Sequence, residues 1–315
     1  MPVLTIPVAR PLFEWRLRTR SLLVGDRTLL MAILNLTPDS FSGDGLRIPG
    51  NGFAAAAKLA VAEAVEALDA GADILDLGAE STRPGAEPLT ADEEQQRLLP
   101  VLEAVLHARP DAVVSVDTYH ASTARAAIAL GAEIINDVSG LTWDEEMAEV
   151  VGETGAGLVL MHTRGRPGEW AQLPPLPAAD VLPLVFSGLM ERMVLAEAMG
   201  IEPLRIIADP GFGFGKRGAE NFALLAGLSR LHELGRPLLI GLSRKKFLGE
   251  AVREVLPGGE LSLADARRNA TTAAHVASVL AGAHILRVHE VQAAREACAV
   301  ADALLIAGET LLFEE

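Results

Sequence analysis

Eight short aliphatic runs, each followed by a longer polar or Ala/Leu/Glu-rich segment, set the strongest constraint on what this chain can fold into. They lie at 29–34, 74–77, 113–116, 134–135, 158–161, 206–208, 238–240 and 285–288. None alternates apolar with polar residues. Short runs rich in Ile, Val and Leu suit strands covered on both faces, as in parallel sheets. Segments 53–70, 92–108, 121–130 and 264–280 between them have apolar residues at helical spacing. Thr90 with Glu93 predicts a capping box, and Gly71, Gly131 and Gly282 stand where helices should stop. Ala-Gly-Ala recurs before Asp-Ile-Leu and before His-Ile-Leu, as in a repeated strand–helix unit. The expectation is an α/β fold, a TIM (β/α)8 barrel forming one domain over 29–315, with a short N-terminal extension, 1–28, capping its floor. An open doubly wound sheet is the alternative, because pattern alone does not show closure.

Composition narrows the partners. Half of the 315 residues are hydrophobic, too many for a disordered chain, and the formal charge is −15. That acidic excess argues against nucleic acid. Charges interrupt every long apolar stretch before it could cross a bilayer. The N-terminal residues lack a signal-peptide pattern. Cys298 is the only cysteine, which excludes a disulfide framework. A cytoplasmic protein with small-molecule substrates, and neither membrane nor nucleic-acid partner, is expected.

Polar residues end all eight runs: Asn35, Asp76, Asp117, Asn136-Asp137, His162, Asp209, Ser243-Arg244-Lys245, and Arg287 with His289. Any one could simply cap the following helix. Together they predict a polar cup at the carboxyl ends of the strands. Carboxylates and amides occupy its middle, and cations its last two strands. The chain has four lysines against 23 arginines, yet places two side by side. Lys246 reads as solvated, and Lys245 as a charge facing a phosphate or ring carbonyl. Asp117, Asn136 and Asp209 suit the N–H edge of a guanine-like ring or, equally, a divalent metal. The segment Asp209-Pro-Gly-Phe-Gly-Phe-Gly-Lys216 reads as a loop whose backbone approaches a ligand. Phe212 or Phe214 would lie over that ligand rather than in the core. A Pro-rich stretch, 164–179, reads as a long loop.

Several motifs are specific. Residues 33–42 (Ile-Leu-Asn-Leu-Thr-Pro-Asp-Ser-Phe-Ser) and 76–85 (Asp-Leu-Gly-Ala-Glu-Ser-Thr-Arg-Pro-Gly) are followed in order by Ser115-Val-Asp-Thr, Ile135-Asn-Asp-Val, Leu160-Met161-His162, the glycine loop, Gly241-Leu-Ser-Arg-Lys and Arg287-Val-His289. From about Leu30 to His289 the chain resembles the dihydropteroate synthase family. The resemblance implies a TIM barrel, a homodimer and a folate-synthesis reaction that sulfonamides target: 6-hydroxymethyl-7,8-dihydropterin diphosphate and 4-aminobenzoate give 7,8-dihydropteroate and diphosphate.

It also implies roles. Asn35 would ligate Mg²⁺ together with the diphosphate. Asp117, Asn136, Met161, Asp209 and Lys245 would hold the pterin. Arg287 would stack on that ring and, with His289, bind diphosphate, joined by Thr82 and Arg83 from a closing loop. Phe41, Thr82, Pro84, Phe214 and Ser243 would line the aminobenzoate pocket. The catalytic set would be Asn35, Asp39, Arg83, Lys245, Arg287 and His289, with no general base assigned. Cations and Mg²⁺ belong where the leaving diphosphate gathers charge. Ala79, Asp44 and Arg217 depart from the family pattern; the first and third read as harmless, and the second leaves the role of Asp44 open. The rivals are a pterin-dependent methyltransferase, a catalytically silent pterin-binding paralogue, and an aldolase-like barrel. In the last, Lys245 would be a Schiff-base lysine with a pKa depressed by Arg244.

Overall fold

The computed structural model describes residues 10–36, 52–80, 87–255 and 263–313. It opens on an antiparallel hairpin, β1 (Phe13–Arg16) and β2 (Ser21–Val24). Then follow β3 (Leu29–Asn35), α1 (Gly52–Asp69), β4 (Ile74–Gly78), α2 (Ala91–Ala108), β5 (Val114–Asp117), α3 (Ala121–Leu130), β6 (Ile134–Asp137), α4 (Met147–Thr154) and β7 (Gly157–Met161). The chain continues through α5 (Ala178–Ala198), β8 (Ile206–Asp209), α6 (Gly218–Ala226), β9 (Leu239–Ile240), α7 (Lys246–Val255), α8 (Leu263–Leu280), β10 (Ile285–Val288) and α9 (Val291–Phe313).

Among the described residues β3 to β10 form one eight-stranded sheet, in the order β8-β7-β6-β5-β4-β3-β10-β9, and every neighbouring pair is parallel. A parallel bridge between Ala208 and Leu238, with the Ala208 N–H donating to Pro237 O at 3.0 Å, joins the two edges. The sheet is therefore the expected (β/α)8 barrel, and an open sheet is excluded. Its strands coincide with the eight aliphatic runs to within a residue or so. The expected capping box is present, with the Glu93 N–H donating to Thr90 Oγ1 and the Thr90 N–H to Glu93 Oε2.

Alternation along each strand separates two apolar layers. Leu30, Ala32, Leu75, Leu77, Ile135, Leu158, Leu160 and Leu286 face outward into the layer beneath the helices. The alternate residues Leu29, Met31, Ile74, Ile134, Val159, Ile207, Leu239 and Ile285 fill the lower barrel interior. Trp15, Leu17 and Val24 of the hairpin belong to that inner cluster, and Trp15 is fully buried. Below it, Arg10 donates to Thr28 Oγ1, Ala283 O and Asp302 Oδ1 at 2.6, 2.9 and 2.6 Å.

Candidate active site

The side-chain columns that are apolar in the lower barrel turn polar at its upper end. Two residues beyond Ile74 is Asp76, beyond Ile134 Asn136, beyond Val159 Met161, beyond Ile207 Asp209, and beyond Ile285 Arg287. Because side chains alternate with period two, these residues point the same way as the core below them. Asp76 is fully buried, and the others line an open cavity of about 1730 Å³, whose wall includes Asn35, Asp117, Asn136, Asp209, Lys245 and Arg287. Met161, Phe214, Ser243 and His289 also line it.

The same parity corrects the picture of a cup closed by every strand end. Asp137 and His162 fall on the outward set. Asp137 accepts from the Ser139 and Leu141 N–H groups at 2.8 and 2.7 Å, so it braces its own turn. His162 packs against α5, where a Cβ on Gly188 would lie 2.7 Å from its ring.

Arg287 organises the floor. Its Nε donates to Asp76 Oδ2 and its Nη2 to Asp117 Oδ2, both at 2.6 Å. Asn136 Nδ2 adds a donor to the same Asp76 oxygen at 3.0 Å. Asp76 is fully buried, and its second oxygen has no partner among the described residues. Burial, reinforced by the negative charges of Asp76, Glu94 and Asp137, pushes the Asp117 carboxyl up to about 7 despite Arg287. Asp76 thus joins the floor beyond its place as a strand end, and its period-two column with Ile74 is the sequence signal for this.

Lys245 and Asp209 form the second half. Asp209 Oδ1 accepts from the Gly211 N–H at 2.7 Å, and burial raises its pKa. The half-buried Lys245 ammonium lies 4.3 Å from the centre of the Phe214 ring, within cation–π range. Desolvation, opposed by Asp209, lowers Lys245 to about 8. Arg244 is not the agent. Its own guanidinium reaches Glu290 at 3.0 Å, and its left-handed backbone (φ 58) is fixed by a bond from its N–H to Thr271 Oγ1 at 3.1 Å. Lys246, as expected, is solvated: its side chain is 79% exposed and pairs with Glu250.

The glycine loop is shaped by necessity. Gly211 and Gly215 have φ of 67 and 70, and a Cβ would fall 2.0 Å from His162 O at the first and 2.6 Å from Arg164 Cβ at the second. Buried Lys216 donates to His162 O, Gly211 O and Phe214 O at 3.2, 2.7 and 3.3 Å, sewing the loop shut. Phe212 does not lie over a ligand: it is 1% exposed and belongs to the layer beneath the helices. Only Phe214 of the pair turns into the cup. His289 donates its backbone N–H to Ser243 Oγ at 3.2 Å, and its Nδ1 lies 2.9 Å from the same oxygen. Asp39, Phe41, Asp44, Thr82, Arg83 and Pro84 lie outside the described residues.

Geometry of this kind can grip a flat ring through oxygen acceptors while cations face a departing anion. The family model described as "Pterin binding enzyme" matches residues 31–289. A relative in Synechocystis sp. named dihydropteroate synthase is 38% identical over 95% of this chain and 94% of its own length. Among solved structures, Xanthomonas albilineans dihydropteroate synthase with 4-aminobenzoic acid is 38% identical with a TM-score of 0.80, covering 93% of this chain and 98% of that one. Dihydropteroate synthase of Yersinia pestis, in a sulfonamide drug complex, is 34% identical with a TM-score of 0.80, covering 92% and 98%. The match spans both the barrel and the strand-end residues that build its cup, and the chain belongs to the dihydropteroate synthase family of pterin-binding enzymes.

Proposed function

We propose that this chain joins 6-hydroxymethyl-7,8-dihydropterin diphosphate to 4-aminobenzoate, giving 7,8-dihydropteroate and diphosphate. The observation that carries the reading is the composition of one cavity, where the acceptors Asp117, Asn136 and Asp209 stand beside Lys245, Arg287 and His289, and the buried Asp76 ties Arg287 to Asn136. Buried acceptors favour a ring whose 2-amino and ring N–H groups can satisfy them, because an analogue without those donors leaves them unpaired. The pterin methylene carbon loses its C–O bond, and the electron pair leaves with diphosphate. The neutral amine of 4-aminobenzoate supplies the pair for the new C–N bond and then sheds a proton. Arg287 and Lys245 place positive charge, and His289 a ring N–H, near the leaving group, so no side-chain nucleophile is required.

A magnesium ion fits the same cavity. Asn35 offers a hard amide oxygen at the end of β3, inside the cavity. Among the described residues no three His, Cys, Asp or Glu side chains are grouped to hold a metal, so most ligands would come from the diphosphate and water, as Mg²⁺ prefers. When bound, the ion neutralises leaving-group charge. Calorimetric titration of Mg²⁺ with and without diphosphate tests this, and binding independent of diphosphate counts against it.

A homodimer and a cytoplasmic location complete the proposal. The helix α9 leaves Val300, Leu304 and Ile306 exposed, as a subunit contact would require, and light scattering tests the dimer. Among the described residues no helix is long and apolar enough to cross a membrane. Sulfonamide sensitivity belongs to the same proposal, supported by the Yersinia pestis complex. The deciding experiment is a coupled assay for diphosphate release. Release should need both substrates; release unaffected by omitting 4-aminobenzoate would overturn the reading.

A further inference from the structure

We infer that Trp170 forms the outer wall of the aminobenzoate subsite and sets its specificity, with Arg217 as the residue that positions it. The inference rests on the proposed reaction. A benzoic acid needs aromatic or aliphatic surface for its ring. Among the described residues the cavity is lined by four Phe and Trp side chains, Trp170, Phe212, Phe214 and Phe247. Phe212 and Phe247 are 1% and 5% exposed, so ring surface is offered by Trp170 and Phe214. These two meet edge to face, with centroids 5.4 Å apart and planes at 81°, and form a corner. The Lys245 ammonium already covers one part of Phe214, which leaves the Trp170 side of the corner for an incoming ring. The indole N–H is bonded to Gly165 O at 3.2 Å, so the indole presents carbon to the cavity without a polar debt.

Trp170 sits on the Pro-rich loop between β7 and α5, yet that loop is fastened to the glycine loop and to the start of α6. Arg164 Nη1 donates to Gly215 O and its Nη2 to Pro174 O at 3.0 and 3.1 Å. The Leu176 N–H donates to Glu220 Oε1 at 2.8 Å. Arg217 Nη2 donates to Ala171 O at 3.2 Å and also reaches Leu173 O, gripping the backbone on the C-terminal side of the indole. Arg217 is therefore not a harmless departure from the family pattern. A shorter side chain there could not span to both carbonyls, and the indole would lose its fixed angle to Phe214.

The test compares wild type with Trp170→Ala, Trp170→Phe and Arg217→Ala by diphosphate release, each first checked for folding by circular dichroism. Trp170→Ala should raise KM for 4-aminobenzoate about tenfold, the scale of one aromatic pair. KM for the pterin diphosphate and kcat at saturation should stay unchanged. Trp170→Phe should restore most of the loss, and Arg217→Ala should reproduce a smaller share of it. An unchanged KM for 4-aminobenzoate in folded Trp170→Ala overturns the inference, as does an equal rise in both KM values. Wild-type protein that releases no diphosphate with these substrates refutes the proposed function instead, so the two failures are distinct.

Discussion

The two ends of the barrel are built from the same eight strands and obey opposite rules. At the lower end the inward columns are Leu, Ile, Val and Met, plugged by Trp15, and most charges there are matched at short range: Arg10 with Asp302 and Arg27 with Asp73, each at 2.6 Å. At the upper end the same columns carry Asp76, Asp117 and Asp209 around Arg287 and Lys245, with like charges close together. An oxygen of Asp76 is left without a partner among the described residues. The lower end is arranged to be stable, and burial at the upper end raises the pKa of Asp117 and Asp209 and lowers that of Lys245. Perturbed groups gathered in one cavity are the mark of a site that works on a ligand.

The comparison can be broken most directly at the top. Lys245→Ala and Arg287→Ala should each cut turnover by roughly 10²–10³-fold with the circular dichroism spectrum retained. Near-wild-type diphosphate release by either variant would show that the cations are not catalytic. At the bottom the signature should invert. Trp15→Ala should lower unfolding free energy by about 3–5 kcal/mol in denaturant titration while kcat and KM of the folded protein stay put. A kinetic defect without lost stability would place the hairpin in the chemistry.

Asp117 offers a sharper test through pH. Its carboxyl ordinarily titrates near 3.8 and here near 7, so across that window the folded chain keeps a proton that the unfolded chain releases. Stability from this group therefore falls as pH rises from 3.8 to about 7. Lys245 acts with the opposite slope, its folded form losing a proton near 8 rather than 10.5, so its contribution improves with rising pH over that interval. Thermal melts of Asp117→Asn should lose the decline below neutrality, and retention of the full wild-type slope would move the charge crowding elsewhere. The smallest effect belongs to Lys246, beside Lys245 but solvated. Removing its exposed pair with Glu250 by Lys246→Ala should shift stability by only about 0.3–0.5 kcal/mol in the same melts. A multi-kcal/mol loss would contradict its surface placement.

Much of the cup was legible because strand ends are local. Asp117, Asn136, Asp209, Lys245 and Arg287 stand where aliphatic runs stop, and the structure brings them around one cavity. Strand position alone does not decide orientation. Asp137 and His162 also end runs, but their parity turns them away from the mouth. Phe212 and Phe214 look equivalent in Gly-Phe-Gly-Phe-Gly, yet the first is sealed beneath the helices and the second faces Lys245. Arg217 and Trp170 gave no local sign of their task, since their partners Ala171, Leu173 and Phe214 become neighbours only after two loops are laid together.

The amino-acid sequence by itself determined the eight strands, their helical stops and the kinds of polar group that end each run, because propensity, capping and alternation act within a few residues. Closure of the sheet, the bridging of Asp76 and Asp117 by Arg287, and the displaced protonation of Asp117 and Lys245 were decided by tertiary structure alone. Those features depend on distances between residues 170 or more positions apart for the bridge and on how much water is excluded around them, and neither is defined until the barrel has closed.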